Sequence, residues 1–166
     1  MPFPTRHARR TLLLVGEGET EVAFLTHVKG IYAPRGCGLA VRVLSARGKG
    51  PENVVETVVR HCAIRSYDMR AALLDTDIAW TPDVRRRATS KRITLVGSDP
   101  CLEGLLLTVL GQPVPRRSAD CKRAFAGVFR GNPLRSGDYA AQFAGPVLEA
   151  ARGHVETLAS LLALFA

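Results

Sequence analysis

Fifteen acidic side chains are spread over this chain of 166 residues, and a few of them fall where chemistry could use them. Leu12-Leu13-Leu14-Val15-Gly16 is a short apolar run, and Glu17-Gly18-Glu19-Thr20-Glu21 follows at once. A second run, Arg70-Ala71-Ala72-Leu73-Leu74, leads into Asp75-Thr76-Asp77. A third acid, Glu103, lies in Ser98-Asp99-Pro100-Cys101-Leu102-Glu103, after the apolar stretch Ile93 to Val96. Carboxylates crowded together repel unless a cation holds them. Mg²⁺ and Mn²⁺ take hard oxygen ligands and leave positions for water and substrate phosphates. Acids at several strand ends are therefore the donors that a one- or two-metal phosphoryl-transfer site needs. Glu17, Glu21, Asp75, Asp77 and Glu103 are the candidate ligands, with Glu17, Asp75, Asp77 and Glu103 as the catalytic set. In a strand-like backbone Asp75 and Asp77 would face the same way. Taken singly, each acid reads as turn, cap or solvated-loop chemistry; the grouping carries the expectation. Glu19 is expected in solvent and Asp99 as a cap or support.

Alternating elements must position these acids. Thr11 to Val15 reads as a buried strand, and Gly18 permits a sharp turn into a helix from Glu19 to Tyr32, with Thr20 as its cap. Leu39 to Leu44 is the second strand. Pro51 opens a helix to about Arg65, with Val54, Val55, Val58, Val59 and Cys62 on one face. Arg70 to Leu74 is the third strand, Pro82 to Thr89 a short basic helix, Arg92 to Val96 the fourth strand, and Pro100 to Leu110 the next helix. Strands alternating with helices imply a mostly parallel sheet with right-handed crossovers, and open sheets of that kind bind ligands at the carboxyl ends of their strands. After Gly111 the texture changes: a loop to Ser118, a helix from Asp120 to Phe129, a turn-rich stretch, then one amphipathic helix from Gly145 to Ala166. The stripe on that last helix is expected to pack on the sheet, with a dimer or partner contact as the alternative.

Glu17-Gly18-x-Thr20-Glu21 followed by Asp75-x-Asp77 resembles the Toprim domain of topoisomerases, primases and OLD-type nucleases. Pro100-Cys101-Leu102-Glu103-Gly104-Leu105-Leu106 is similar to the Pro-Cys-Phe-Glu-x-Trp-Leu-Leu pattern of RloB-like proteins, a Toprim branch found beside ATPases in defence gene clusters. Leu102 stands in place of the aromatic residue, and Gly104-Leu105 in place of x-Trp. The resemblance spans roughly Thr11 to Leu110. It implies a Toprim, Rossmann-like α/β fold of about four strands over that span; the chain length of 166 residues gives one domain over 1–166, and the changed texture after Gly111 makes about 111–166 a helical C-terminal extension. It further implies a Mg²⁺- or Mn²⁺-dependent nuclease with an ATPase partner in a phage-defence setting. Two other functions remain open: a nucleic-acid-binding module that cuts only with its partner, and a nucleotide phosphotransfer enzyme. Topoisomerase chemistry is not expected, because Tyr32, Tyr67 and Tyr139 sit in no recognisable nucleophile domain.

A formal charge of +8 favours a polyanionic partner, while 6% aromatic residues argue against extensive base stacking. Arg47-Gly48-Lys49-Gly50 lacks P-loop spacing but could still meet a phosphate. Arg85, Arg86 and Arg87 could track a nucleic-acid backbone, or simply form a solvated face. Arg116, Arg117, Lys122 and Arg123 read as a surface patch. The cysteines, at 37, 62, 101 and 121, form no CxxC pair, so no structural zinc site is expected. The histidines, His7, His27, His61 and His154, pair with no Ser or Cys nucleophile. No run reaches membrane-span length, and the basic start, Met1 to Arg10, lacks a signal-peptide core. A cytoplasmic protein with reduced thiols is the expectation.

Overall fold

The computed structural model describes residues 9–166; His7 and most of the basic N-terminal arm lie outside them. Four strands, β1 (Arg10–Gly16), β2 (Leu39–Ser45), β3 (Met69–Asp75) and β4 (Thr94–Ser98), form one sheet in the order β2-β1-β3-β4. Every pairing is parallel. Helices α1 (Glu19–Tyr32), α2 (Gly50–Ile64) and α3 (Pro82–Ser90) connect successive strands, and α4 (Leu102–Val109) follows β4. This is the α/β arrangement that the alternation of apolar runs and helical stripes predicts.

The two faces of the sheet bury different cores, as alternation along a strand requires. Leu12 and Leu14 of β1 join Ala71 and Leu73 of β3 beneath α1 and α4. Leu13 and Val15, with Ala72 and Leu74, pack instead against Val54, Val55 and Val58 of α2 and Val84 and Ala88 of α3.

Beyond residue 110 come α5 (Ser118–Val128), a 3-10 turn (Ser136–Ala141), α6 (Gly145–Arg152) and α7 (Glu156–Ala163). Their apolar residues merge into the α1–α4 core. Phe24 of α1 meets Tyr139 at 5.6 Å and Phe143 at 6.1 Å between ring centroids, and Phe129 stands 4.9 Å from Tyr139. The His27 ring stacks on Tyr139 and reaches the Phe143 carbonyl at 2.7 Å. The tail is two helices rather than one: α6 ends at Arg152, and α7 begins only after Gly153, His154 and Val155. The break lets both halves turn their apolar sides inward, with Leu148, Ala151, Leu158, Leu161 and Leu162 all buried.

Most other boundaries shift by one or two residues, α5 starting at Ser118 instead of Asp120, and three of the differences have a clear local cause. β4 begins at Thr94, two residues late, because Arg92 takes a left-handed conformation (φ 53°) to close the turn out of α3. α4 begins at Leu102 with Cys101 as its cap; Pro100 stays outside the helix, and its carbonyl accepts the backbone N–H groups of Thr76 and Asp77. The cap of α1 is Gly18 rather than Thr20, and the Glu21 carboxylate folds back to accept the Gly18 N–H at 2.8 Å.

Candidate active site

The carboxyl ends of β1 and β3 are bolted together by an acid. Glu17 follows β1 directly, and its N–H extends the ladder to the Leu73 carbonyl at 3.1 Å. Its Oε2 accepts the Asp75 N–H at 2.9 Å. Asp75 closes β3, and its Oδ1 accepts the Leu102 N–H at 3.0 Å, at the start of α4. That contact ties the end of β3 to the helix that carries Glu103 in its first turn. Glu21, in the first turn of α1, is 7% exposed and bound to Gly18 as described. Gly16 makes this close approach possible: a Cβ there would stand 2.7 Å from the Cβ of Glu21.

Glu17, Glu19, Glu21, Asp75 and Glu103 line one cavity of about 230 Å³, together with Gly18, Thr20, Gly48 and Lys122. Burial raises the Asp75 carboxyl to about 8, with Glu21, Glu17 and Asp77 adding repulsion. Glu21 is also raised, first by burial and then by Glu103 and Glu17, against the hydrogen bonds that favour its charge. Burial pulls the Lys122 ammonium down, but Glu103, Asp75, Cys101 and Glu21 together more than offset that and leave it above the ordinary lysine value. The cavity is thus over-supplied with negative charge, and one ammonium from α5 answers it.

The donor chemistry fits a hard divalent cation. All the acids offer oxygen. Glu17, Glu21 and Asp75 each commit one carboxylate oxygen to a backbone N–H, which fixes the group and leaves the second oxygen outside that hydrogen bond. Among the described residues no three His, Cys, Asp or Glu side chains group closely enough to enclose a metal ion unaided.

The structure separates several residues that the sequence placed together. Asp77 is exposed and lies outside the cavity lining. Its Oδ2 accepts the Ser118 hydroxyl at 2.7 Å. β3 ends at Asp75, so strand parity does not carry two residues further, and the two aspartates do not share a target. Asp99 accepts the Thr76 hydroxyl at 2.9 Å, a supporting contact. Glu19 is exposed at the rim. Arg85 lies over the Trp80 ring at 5.0 Å, Arg86 pairs with Asp83, and Arg87 pairs with Glu56 at 2.8 Å; none reaches the cavity. Arg47 and Lys49 flank Gly48, whose N–H donates to the Glu17 carbonyl at 2.8 Å. Both have positive φ (58° and 69°), and Asn53 steadies the loop by donating to the carbonyls of Ala46 and Gly48. Lys49 lines a neighbouring cavity with Ile78 and Thr81.

Lys122 is the residue that sequence reasoning set aside as surface. Its place in the patch Arg116, Arg117, Lys122, Arg123 hid it. The usable signal was helical spacing: Lys122 is one turn after Ser118 on α5, the face that meets Asp77. Arg117 and Arg123 instead clasp Asp120.

Among the described residues no helix is long and apolar enough to cross a membrane. Compared with family models, curated proteins and solved structures, the chain gives no match.

Proposed function

We propose that this protein is a divalent-cation-dependent phosphodiester hydrolase acting on nucleic acid. One observation carries the reading: four carboxylates from separate elements, Glu17, Glu21, Asp75 and Glu103, surround a single cavity that one lysine, Lys122, enters from outside the sheet. The Toprim-like order of the acidic motifs and the excess of basic residues agree with it.

In this reading Glu17, Asp75 and Glu103 would hold one or two Mg²⁺ or Mn²⁺ ions, and Glu21 would add charge behind them. A divalent cation held there would supply Lewis-acid chemistry, lowering the pKa of a water and offsetting charge on the phosphoryl group. The chain's own groups do the rest. Asp75, raised to about 8, gives up its proton as the site fills. Glu17, held at Oε2 by the Asp75 N–H, has one further oxygen at the cavity wall, which would either ligate the cation or receive a proton from water. Lys122 neutralises charge on a non-bridging phosphoryl oxygen as the bond to the leaving oxygen breaks. Arg47 and Lys49, on the loop beside Glu17, meet neighbouring phosphates. An ATPase partner and a defence role belong to the same proposal through the RloB-like motif.

The open spacing of the acids favours a second reading, in which substrate or a partner protein must complete the site before cutting begins. One experiment separates the two. Mn²⁺ binding by calorimetry and oligonucleotide cleavage are measured for the wild type, Glu17→Ala and Asp75→Asn. Cleavage by the isolated protein that both variants lose, together with weakened Mn²⁺ binding, supports the hydrolase. Mn²⁺ binding without cleavage supports the module. Unchanged cleavage in either variant sinks the assignment of the site.

A further inference from the structure

A second charged cavity lies at the other end of the sheet, and the proposed hydrolase chemistry does not use it. It has a volume of about 340 Å³ and is lined by Thr11, Lys29, Arg42, Arg65 and Tyr67 together with Ala40, Val41 and Val43 of β2. Three cations converge here from three elements: Lys29 from the last turn of α1, Arg42 from the middle of β2, and Arg65 from the residue that ends α2. No acid is among the lining residues. Among the described residues none of the three cations forms an ion pair. Arg65 rests over the buried Tyr67 ring at 5.9 Å, which fixes its guanidinium against a wall. Three cations lining one cavity with no lining acid offer an entering anion several donors at once.

Local charge balance leaves the cavity positive. The carboxyl ends of α1 and α2 both point here, and each carries about half a negative charge. Asp68 is nearby, but it accepts the Thr11 N–H and hydroxyl at 2.7 and 2.9 Å, and Arg10 favours its charged form as well. Against three cations, the Asp68 carboxylate and two helix ends together leave about one positive charge uncompensated. β2 is moreover an edge strand, so alternate backbone N–H groups point outward and add donors.

We infer that this cavity at the β2 edge binds phosphoryl groups, either of a nucleic-acid backbone or of a free nucleotide polyphosphate. Arg42 and Arg65 supply forked donors suited to phosphate oxygens, and Lys29 supplies a point charge. The acid cavity lies beyond the carboxyl end of β1, whereas this one runs along β2 from Ala40 to Val43, and the two share no lining residue. The inference therefore stands whether or not the acid site cuts anything.

The test keeps the acid site empty with a chelator. Inorganic pyrophosphate binding is measured by calorimetry, and binding of a fluorescein-labelled single-stranded oligonucleotide by anisotropy over a range of salt. The wild type is compared with Lys29→Gln/Arg42→Gln/Arg65→Gln and with Arg85→Gln/Arg86→Gln/Arg87→Gln, which removes the same charge from α3. Loss of about tenfold or more in oligonucleotide affinity and a salt slope lower by about 2, in the cavity variant only, are expected. Pyrophosphate binding that the cavity variant also loses points to free polyphosphates; loss for the oligonucleotide alone points to the polymer. Arg42→Gln by itself, at an exposed edge position, must show part of the effect with an unchanged circular dichroism spectrum. Equal losses in the two triple variants, or no loss in either, would overturn the inference.

Discussion

The Asp75 N–H donates to Glu17 Oε2 at 2.9 Å, so the backbone that ends β3 holds the acid that follows β1. Both are candidate ligands, and the Asp75 carboxylate is held in turn by the Leu102 N–H. A side-chain substitution at Asp75 keeps the N–H that positions Glu17 and so changes charge while sparing that contact.

Asp75 makes the metal-free protein less stable as pH rises. Its folded pKa of about 8 lies above the reference value of 3.8, through burial and then repulsion from Glu21, Glu17 and Asp77. Between those values the unfolded chain has released the proton while the folded one retains it, so stability falls across pH 4 to 8 and levels off above. Asp75→Asn removes this slope. Thermal unfolding in chelator, followed against pH, is expected to show a flatter curve for the variant and a higher midpoint for it near pH 8. Addition of Mn²⁺ to the wild type should release protons, read as a dependence of binding heat on the buffer's ionisation enthalpy.

Asp75 and Asp77 are not equivalent. Asp75 lines the cavity, whereas Asp77 binds the Ser118 hydroxyl at 2.7 Å. Asp75→Asn is expected to lower cleavage by about 10²-fold or more, as loss of a primary electrostatic group does. Asp77→Asn should cost much less, since an amide oxygen still accepts from Ser118. Equal losses in steady-state kinetics would show that Asp77 swings into the site.

Lys122 divides binding from turnover. Lys122→Met should leave Mn²⁺ affinity unchanged or improved, because a competing positive charge is gone. It should reduce kcat by about 10²-fold, the scale of a single stabilising donor. Lys122→Arg should recover part of that loss. A Lys122→Met enzyme with full kcat would restrict the lysine to balancing charge.

Gly16 sets the spacing between β1 and α1. A Cβ at this position would come within 2.7 Å of the Glu21 Cβ and 3.2 Å of the Val22 nitrogen. Gly16→Ala should lower stability by about 1–3 kcal/mol through overpacking and weaken Mn²⁺ binding by displacing Glu21. Chemical denaturation and calorimetry read the two effects separately.

Several features of this protein were decided by sequence alone. Apolar runs of four residues made Leu12 to Val15 and Ala71 to Leu74 central strands, because a run too short for a helix and closed by glycine or an acid fits a strand buried on both faces. Alternation with helical stripes required a parallel sheet, and with it the placement of Glu17, Asp75 and Glu103 at one end. Other features needed the folded chain. Asp77 turns to Ser118, across 41 residues of sequence, and Lys122 reaches the acid cavity from a helix outside the sheet; both depend on how α5 docks on α4, which no local period encodes. Arg85, Arg86 and Arg87 look like one patch in sequence, yet they face three partners because α3 turns about 100° per residue. The split of the tail into α6 and α7 likewise appears only in the folded chain, where both halves bury their apolar sides. Local pattern is short-ranged and sets which elements form. Contacts between distant elements, which only packing resolves, set which side chains share a cavity.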